Sequence, residues 1–219
     1  MLREIGGDCT PSRLARRWIA PALPSFFALY PQMTLELGGS DRIVDLVREG
    51  VDCAVRVGEL ASSSLVARPL GSLRMINCAS PAYRAKMGTP LSPADLPQHQ
   101  AVNYAAGGGP VAPWLWQDQG ELRTYVMQAQ VVTHNVETYI ACALAGLGLI
   151  QVPAFDVQDK LDAATLVPVL QAWPAPSMPM HLMYAHKRQL SRRLQAFSQW
   201  LVQTLEPVLT DSTPRREPA

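Results

Sequence analysis

Four short segments carry the residue types that could bind or act on a small molecule. Arg56-Val57-Gly58-Glu59 closes an apolar run that starts at Val51, placing a cation where a strand should stop. Thr10-Pro11-Ser12, Ser40-Asp41-Arg42 and Thr133-His134-Asn135 each precede a run of helical periodicity. Hydroxyl and amide side chains at such points satisfy the unpaired amides of a helix's first turn. The same amides, with the positive end of the helix dipole, suit a carboxylate or another anion. Arg56 would add a formal charge at that rim. Each position keeps a second reading. Arg56 could be solvated or paired with Asp41, Asp52 or Glu59, and Thr10 and Thr133 could be caps and nothing more. His134 beside a cap reads more readily as a structural residue than as a ligand contact. Tyr104 and Ala105, in a stretch running to Gly107, and Trp114 are candidate pocket walls. Ordinary core packing is the other reading for Trp114 and Trp116.

Other chemistry finds little support. The chain has no GxSxG, Walker A, HExxH or GxGxxG pattern, so no enzyme is expected. Gly146-Leu147-Gly148 reads as a helix end running into a strand. Cys9, Cys53, Cys78 and Cys142 are scattered, as are the histidines, so neither metal nor cofactor is expected. With 19 basic and 18 acidic residues the net charge is +1, which gives this chain no electrostatic case for DNA. Arg13, Arg16 and Arg17 read as a solvated helix face. The start, MLREIGGD, lacks an apolar leader and no run is long enough to span a membrane. Unpaired thiols and no export signal point to the cytoplasm.

The elements that must position these loops follow from periodicity. Leu2–Ile5 reads as a strand, Ser12–Tyr30 as a helix that Pro21 and Pro24 kink or interrupt, and Met33–Leu37 as a strand. A helix capped at Ser40 or Asp41 ends at Gly50, and Val51–Val57 follows as a strand. This β-α-β-α-β order implies a parallel sheet covered on both faces. Ser64–Ala79 is extended and leads away. Strands are then expected at Ala101–Tyr104, around Trp114–Trp116, at Leu122–Val132 and at Leu147–Val152. A helix from Val136 lies among them. Pro174–Pro179 is a second hinge, Met180–Tyr184 returns as a strand, and Leu190, Leu194, Phe197 and Leu201 mark a last amphipathic helix. No internal repeat is visible. The chain divides into a first lobe of residues 1–78 plus 180–208, a second lobe of 79–179, and a disordered tail over 209–219. In open parallel sheets ligands bind beyond the carboxyl ends of the strands, where all four segments fall.

Three stretches carry a family resemblance: "PALPSFFALYPQMTLELGGSDRIVDLVREGVDCAVRVGEL", "SSLVARPLGSLRMINCASPAYRAKMGTPLSPADLPQH" and "VVTHNVETYIACALAGLGLIQVP". They resemble the effector-binding domain of LysR-type transcriptional regulators. The resemblance implies an α/β fold of two Rossmann-like lobes joined by two crossings, the periplasmic-binding-protein-like type 2 arrangement. It also implies a small effector between the lobes, a homodimer of this domain and a tetramer of the complete regulator. Family cleft positions match Thr10, Ser12, Ser40, Val57, Gly58 and Glu59, with Tyr104, Ala105, Thr133, His134 and Asn135 from the second lobe. Family members begin with a winged helix-turn-helix and a linker helix, which these residues do not include. DNA contact is therefore expected only through that absent domain. A solute-binding receptor for transport shares the architecture and is the alternative, which an export signal would favour.

Overall fold

The computed structural model describes residues 2–5, 11–38, 46–60, 65–184 and 191–209. Thr10, Ser40 and the tail from residue 210 lie outside them. The chain divides into two compact units, one formed by residues 1–73 with 178–219 and the other by 74–177.

The first unit is built on one five-stranded sheet. Its strands are β1 (Leu2–Ile5), β2 (Leu35–Leu37), β3 (Cys53–Val57), β4 (Val66–Leu73) and β12 (Met178–Tyr184), in the order β2-β1-β3-β12-β4. β1 runs parallel to β2 and β3, as helical crossovers require, whereas β12 is antiparallel to both β3 and β4. Val55 and Leu182 are fully buried and, by strand alternation, share one face. Ala54 and Met183 pack with Leu46 and Val51 on the other. Leu46 belongs to α3 (Leu46–Glu49).

Pro21 and Pro24 do not break the first helix. It runs as α1 (Ser12–Leu14), a π-helical turn over Ala15–Ile19, and α2 (Ala20–Leu29). The Ala20 amide donates to the carbonyl of Ala15, five residues back. A proline lacks the amide and crowds the carbonyl one turn earlier, and a widened turn just ahead of Pro21 relieves both problems. Phe26 of α2 meets Phe197 and Trp200 of α7 (Arg192–Leu205) at ring distances of 5.2 and 5.1 Å. Trp200 Nε1 donates to Ser25 Oγ at 3.1 Å. The solvated-face reading of the arginine group fails for Arg13, which is only 3% exposed, so its charge is held inside the fold.

The second unit contains β5 (Met75–Ala79), β6 (Ala101–Tyr104), β7 (Trp114–Asp118), β8 (Glu121–Tyr125), β9 (Ala129–Thr133), β10 (Ile150–Pro153) and β11 (Val167–Pro168). β10-β5-β11 is antiparallel, and β6 and β9 are parallel. A parallel bridge, Ala101↔Leu149, joins the two sets into the order β9-β6-β10-β5-β11. Position by position this matches β2-β1-β3-β12-β4 in the first unit, including the sense of each pairing. The topology repeats where the sequence does not. In both units the antiparallel strand is the first one after a crossing. β5 pairs with β10 and β11, so the first crossing falls at Leu73/Arg74, ahead of the 78/79 boundary read from sequence. The single strand expected over Leu122–Val132 is two. β8 pairs with β7 and β9 with β6, divided around Met127, which is 4% exposed and packs into the core.

α4 (Pro81–Met87) starts at Ser80, whose hydroxyl accepts the Tyr83 amide. The Tyr83 hydroxyl lies 3.1 Å from His99 Nδ1 and accepts the Gln100 amide at 2.9 Å, tying the helix to the entry of β6. Burial holds the His99 imidazole below its ordinary value of 6.5, with Asp95 opposing. The folded state therefore binds fewer protons there than the unfolded state once pH falls below 6.5. Stability should decline as pH drops through 6.5 toward the lowered value and then level off. Urea midpoints across that window should show the decline, and His99→Gln should flatten it.

Candidate functional site

In the first unit the described site residues are Ser12, at the start of α1, and Arg56–Glu59, at the carboxyl end of β3. Ser12 is half-buried at the first position of α1, and the residue preceding the helix is Pro11, which supplies no side-chain cap. Arg56 is the penultimate residue of β3, paired across the ladder with His181 of β12. It is half-buried and engaged with the rest of the protein. The ion-paired and ligand readings both stand. His181 brings an imidazole to the same rung. Its Nδ1 is buried with no hydrogen-bond partner. Val57 is half-buried opposite Met180. Gly58 turns the chain with φ +98°, and its amide donates to Pro179 O at 2.9 Å. Glu59 is exposed.

In the second unit the structure brings the predicted residues together at the ends of two adjacent parallel strands, with Tyr104 opposite Thr133. Thr133 is the last residue of β9, not a cap. It is 3% exposed, and its hydroxyl donates to Asn103 O at 3.3 Å. The cap of α5 (Val136–Leu144) is Asn135, whose Oδ1 accepts the Thr138 amide at 2.8 Å. A cap must carry extended backbone one residue before the helix, which places the role two residues later than Thr133. Ala105 is 2% exposed and has both backbone groups in use. Its amide donates to Thr133 O at 2.9 Å, and its carbonyl lies 2.9 Å from His134 Nδ1. A carbonyl can only accept, so that nitrogen carries a proton, and the His134 side chain is otherwise exposed. The Tyr104 ring is tilted against Tyr139 at 5.3 Å. Trp114 is 5% exposed in the core and Trp116 packs beside it, so the packing reading holds for both.

Sequence reading missed the polar staple behind these strands. Gln151 Nε2 donates to Asn77 Oδ1 and to Leu115 O, each at 2.8 Å, while its Oε1 accepts the Leu115 amide at 3.1 Å. Asn77 Nδ2 donates to Trp173 O at 3.0 Å. A glutamine inside the apolar run Leu147–Val152 was the available signal, because a polar side chain there needs partners. Burial pushes the Cys78 thiol up to about 12, as befits an inert core thiol. Among the described residues no group of three or more His, Cys, Asp or Glu could hold a metal ion. No helix there is long and apolar enough to cross a membrane.

Two α/β units of one strand order, each with polar loops at the carboxyl ends of parallel strands, define a periplasmic-binding-protein-like type 2 ligand-binding fold. More narrowly, the chain belongs to the LysR substrate binding domain family, which matches residues 9–206. It is 37% identical over 201 residues to the uncharacterized HTH-type transcriptional regulator YhjC of Escherichia coli K12, covering 91% of this chain and 67% of that protein. An HTH-type transcriptional repressor of Pseudomonas aeruginosa is 34% identical over 209 residues, covering 90% of this chain and 66% of its own. Among solved structures, the CrgA regulatory domain of Neisseria meningitidis superposes with a TM-score of 0.76 at 28% identity, over 89% of this chain and 95% of that one. The chain thus spans about two thirds of the length of these curated relatives. It is a ligand-sensing regulatory domain of the LysR type.

Proposed function

We propose that this domain senses a small anionic effector, a carboxylate by class, held by the loops at Ser12 and Arg56–Glu59 in the first unit and Tyr104–Ala105 and Thr133–Asn135 in the second. Thr10 and Ser40 complete the set by family resemblance. Half-buried Arg56, beside the backbone turn at Gly58, carries the reading, because a guanidinium held on a strand end is a ready partner for a carboxylate. Its binding favours one arrangement of the two units, and the shift equals the difference in affinity between arrangements. The domain pairs as a homodimer, the complete regulator assembles as a tetramer, and DNA is contacted by a helix-turn-helix segment outside these residues. The protein works in the cytoplasm.

A thermal-shift screen against aromatic and aliphatic carboxylates, with the matching amides as controls, tests this. A saturable rise with carboxylates alone is expected, since binding to the native state stabilises by mass action. Arg56→Ala should then weaken the active compound about ten- to a hundredfold, the worth of a charge-assisted hydrogen bond. Unchanged affinity in Arg56→Ala would remove the anionic assignment.

A further inference from the structure

The first crossing leaves its unit along β4, and the last rungs of β4 are poorly made for a ladder. Pro69 and Pro179 have no amide to donate. The register with β12 steps from His181↔Pro69 to Met180↔Gly71, so Leu70 is bulged out. Gly71, at φ +147°, contributes no side chain. β4 is also an edge strand, with β12 its one neighbour in the sheet. The ladder ends at Leu73↔Met178, where both segments leave the unit.

Gly71 is nevertheless buried, and Leu209 is what covers it. A Cβ on Gly71 would lie 3.2 Å from Leu209 Cβ and 3.4 and 3.5 Å from its two δ-carbons. A 3-10 turn over Glu206–Val208, directly after α7, delivers the leucine there. Its amide closes the turn on Glu206 O at 3.2 Å, and its backbone is extended at φ −93°, ψ 137°. Residue 209, where the sequence reading began its disordered tail, is therefore placed against the sheet.

We propose that Leu209 is a positioning residue for the crossing. Its side chain fills the place that Gly71 leaves empty and clamps the weak end of the β4–β12 ladder. The C-terminal turn thereby sets how readily the two crossing segments open. Gly58 holds the same end from the other side, through its amide on Pro179 O. Anything that lifts or removes the turn loosens the crossing while the sheet behind it stays paired.

Hydrogen exchange followed by mass spectrometry on the full chain tests this without any effector. Leu209→Ala should raise exchange about tenfold in peptides over Leu70–Met75 and Met178–Met180, a local opening caused by lost packing. Protection of α7 across Leu194–Leu201 should stay as it was, and Leu209→Met should restore the crossing peptides. A rise confined to Glu206–Leu209 would overturn the proposal, because the turn would then fray without consequence. A uniform rise across α7 and the crossing would overturn it as well, since Leu209 would then be general ballast.

Discussion

Gly148→Ala destabilises the 74–177 unit by about 3 kcal/mol or more, the upper end for overpacking a core. A Cβ at Gly148 would stand 2.5 Å from the Ala101 carbonyl carbon, 2.7 Å from Val102 N and 2.9 Å from Ala101 Cα. All three are backbone atoms, so no rotamer change can relieve the collision. The strands meeting there are tied by Val102 N to Leu149 O at 3.0 Å and by Leu149 N to Gln100 O at 2.9 Å. Making room for one methyl group means parting β6 from β10 at the junction that turns two sheets into one. Gly146→Ala, two residues earlier, provides the control. Its Cβ meets nothing closer than 3.7 Å, and the cost is the left-handed backbone at φ +81°, about 1–2 kcal/mol. Urea unfolding should rank the two clearly, with Gly148→Ala far below wild type and Gly146→Ala modestly below. Equal midpoints would mean that the close approach at Ala101 is not a rigid constraint.

Gln151→Leu loses about 3 kcal/mol, although it keeps the size of the side chain and adds apolar surface. Leucine leaves the amide and carbonyl of Leu115 and the Oδ1 of Asn77 without their glutamine partner. A buried polar group that loses its partner costs about 1–3 kcal/mol, and relaxation recovers part of the sum. The effect should be local before it is global. The glutamine is what stitches β7 to β10, and the β7–β8 hairpin carries Trp114 and Trp116. Intrinsic tryptophan fluorescence should therefore report a loosened hairpin at urea concentrations where far-UV circular dichroism is still native. Coincident transitions at the wild-type midpoint would show the staple to be dispensable.

Much of the scaffold could be read from the chain because its signals are local. The end of α5 is an example: Gly146 N bonds to Ala143 O and Leu147 N to Cys142 O, the paired closure that a glycine after an apolar helix foretells. The β-α-β-α-β opening was legible for the same reason, since apolar runs alternate with turn residues at short intervals. What escaped depends on partners distant in sequence. Nothing near Gly148 says that Ala101 will press against it. Nothing near Gln151 names Leu115. Thr133 and Asn135 are both good capping types, and the choice between them was made by pairing with Tyr104, which draws Thr133 into β9. The site was legible as a set of loops. Which atoms remain open to a ligand was not, because Ala105 and Thr133 spend their polar groups on each other and on Asn103.

The strand order of the first unit also bears on how the protein is made. β12 lies between β3 and β4, yet it is translated after the whole of the second unit. While the ribosome works through residues 74–177, β3 has one open edge and β4 has no partner at all. Among the described residues the strands of the second unit pair with no later strand, so that unit can close first. Nascent chains that pause just short of Met178 would carry a finished unit beside one with exposed strand edges, the kind of edge that recruits unwanted pairing. The arrival of Met178–Tyr184 completes the first sheet in a single insertion between two waiting strands.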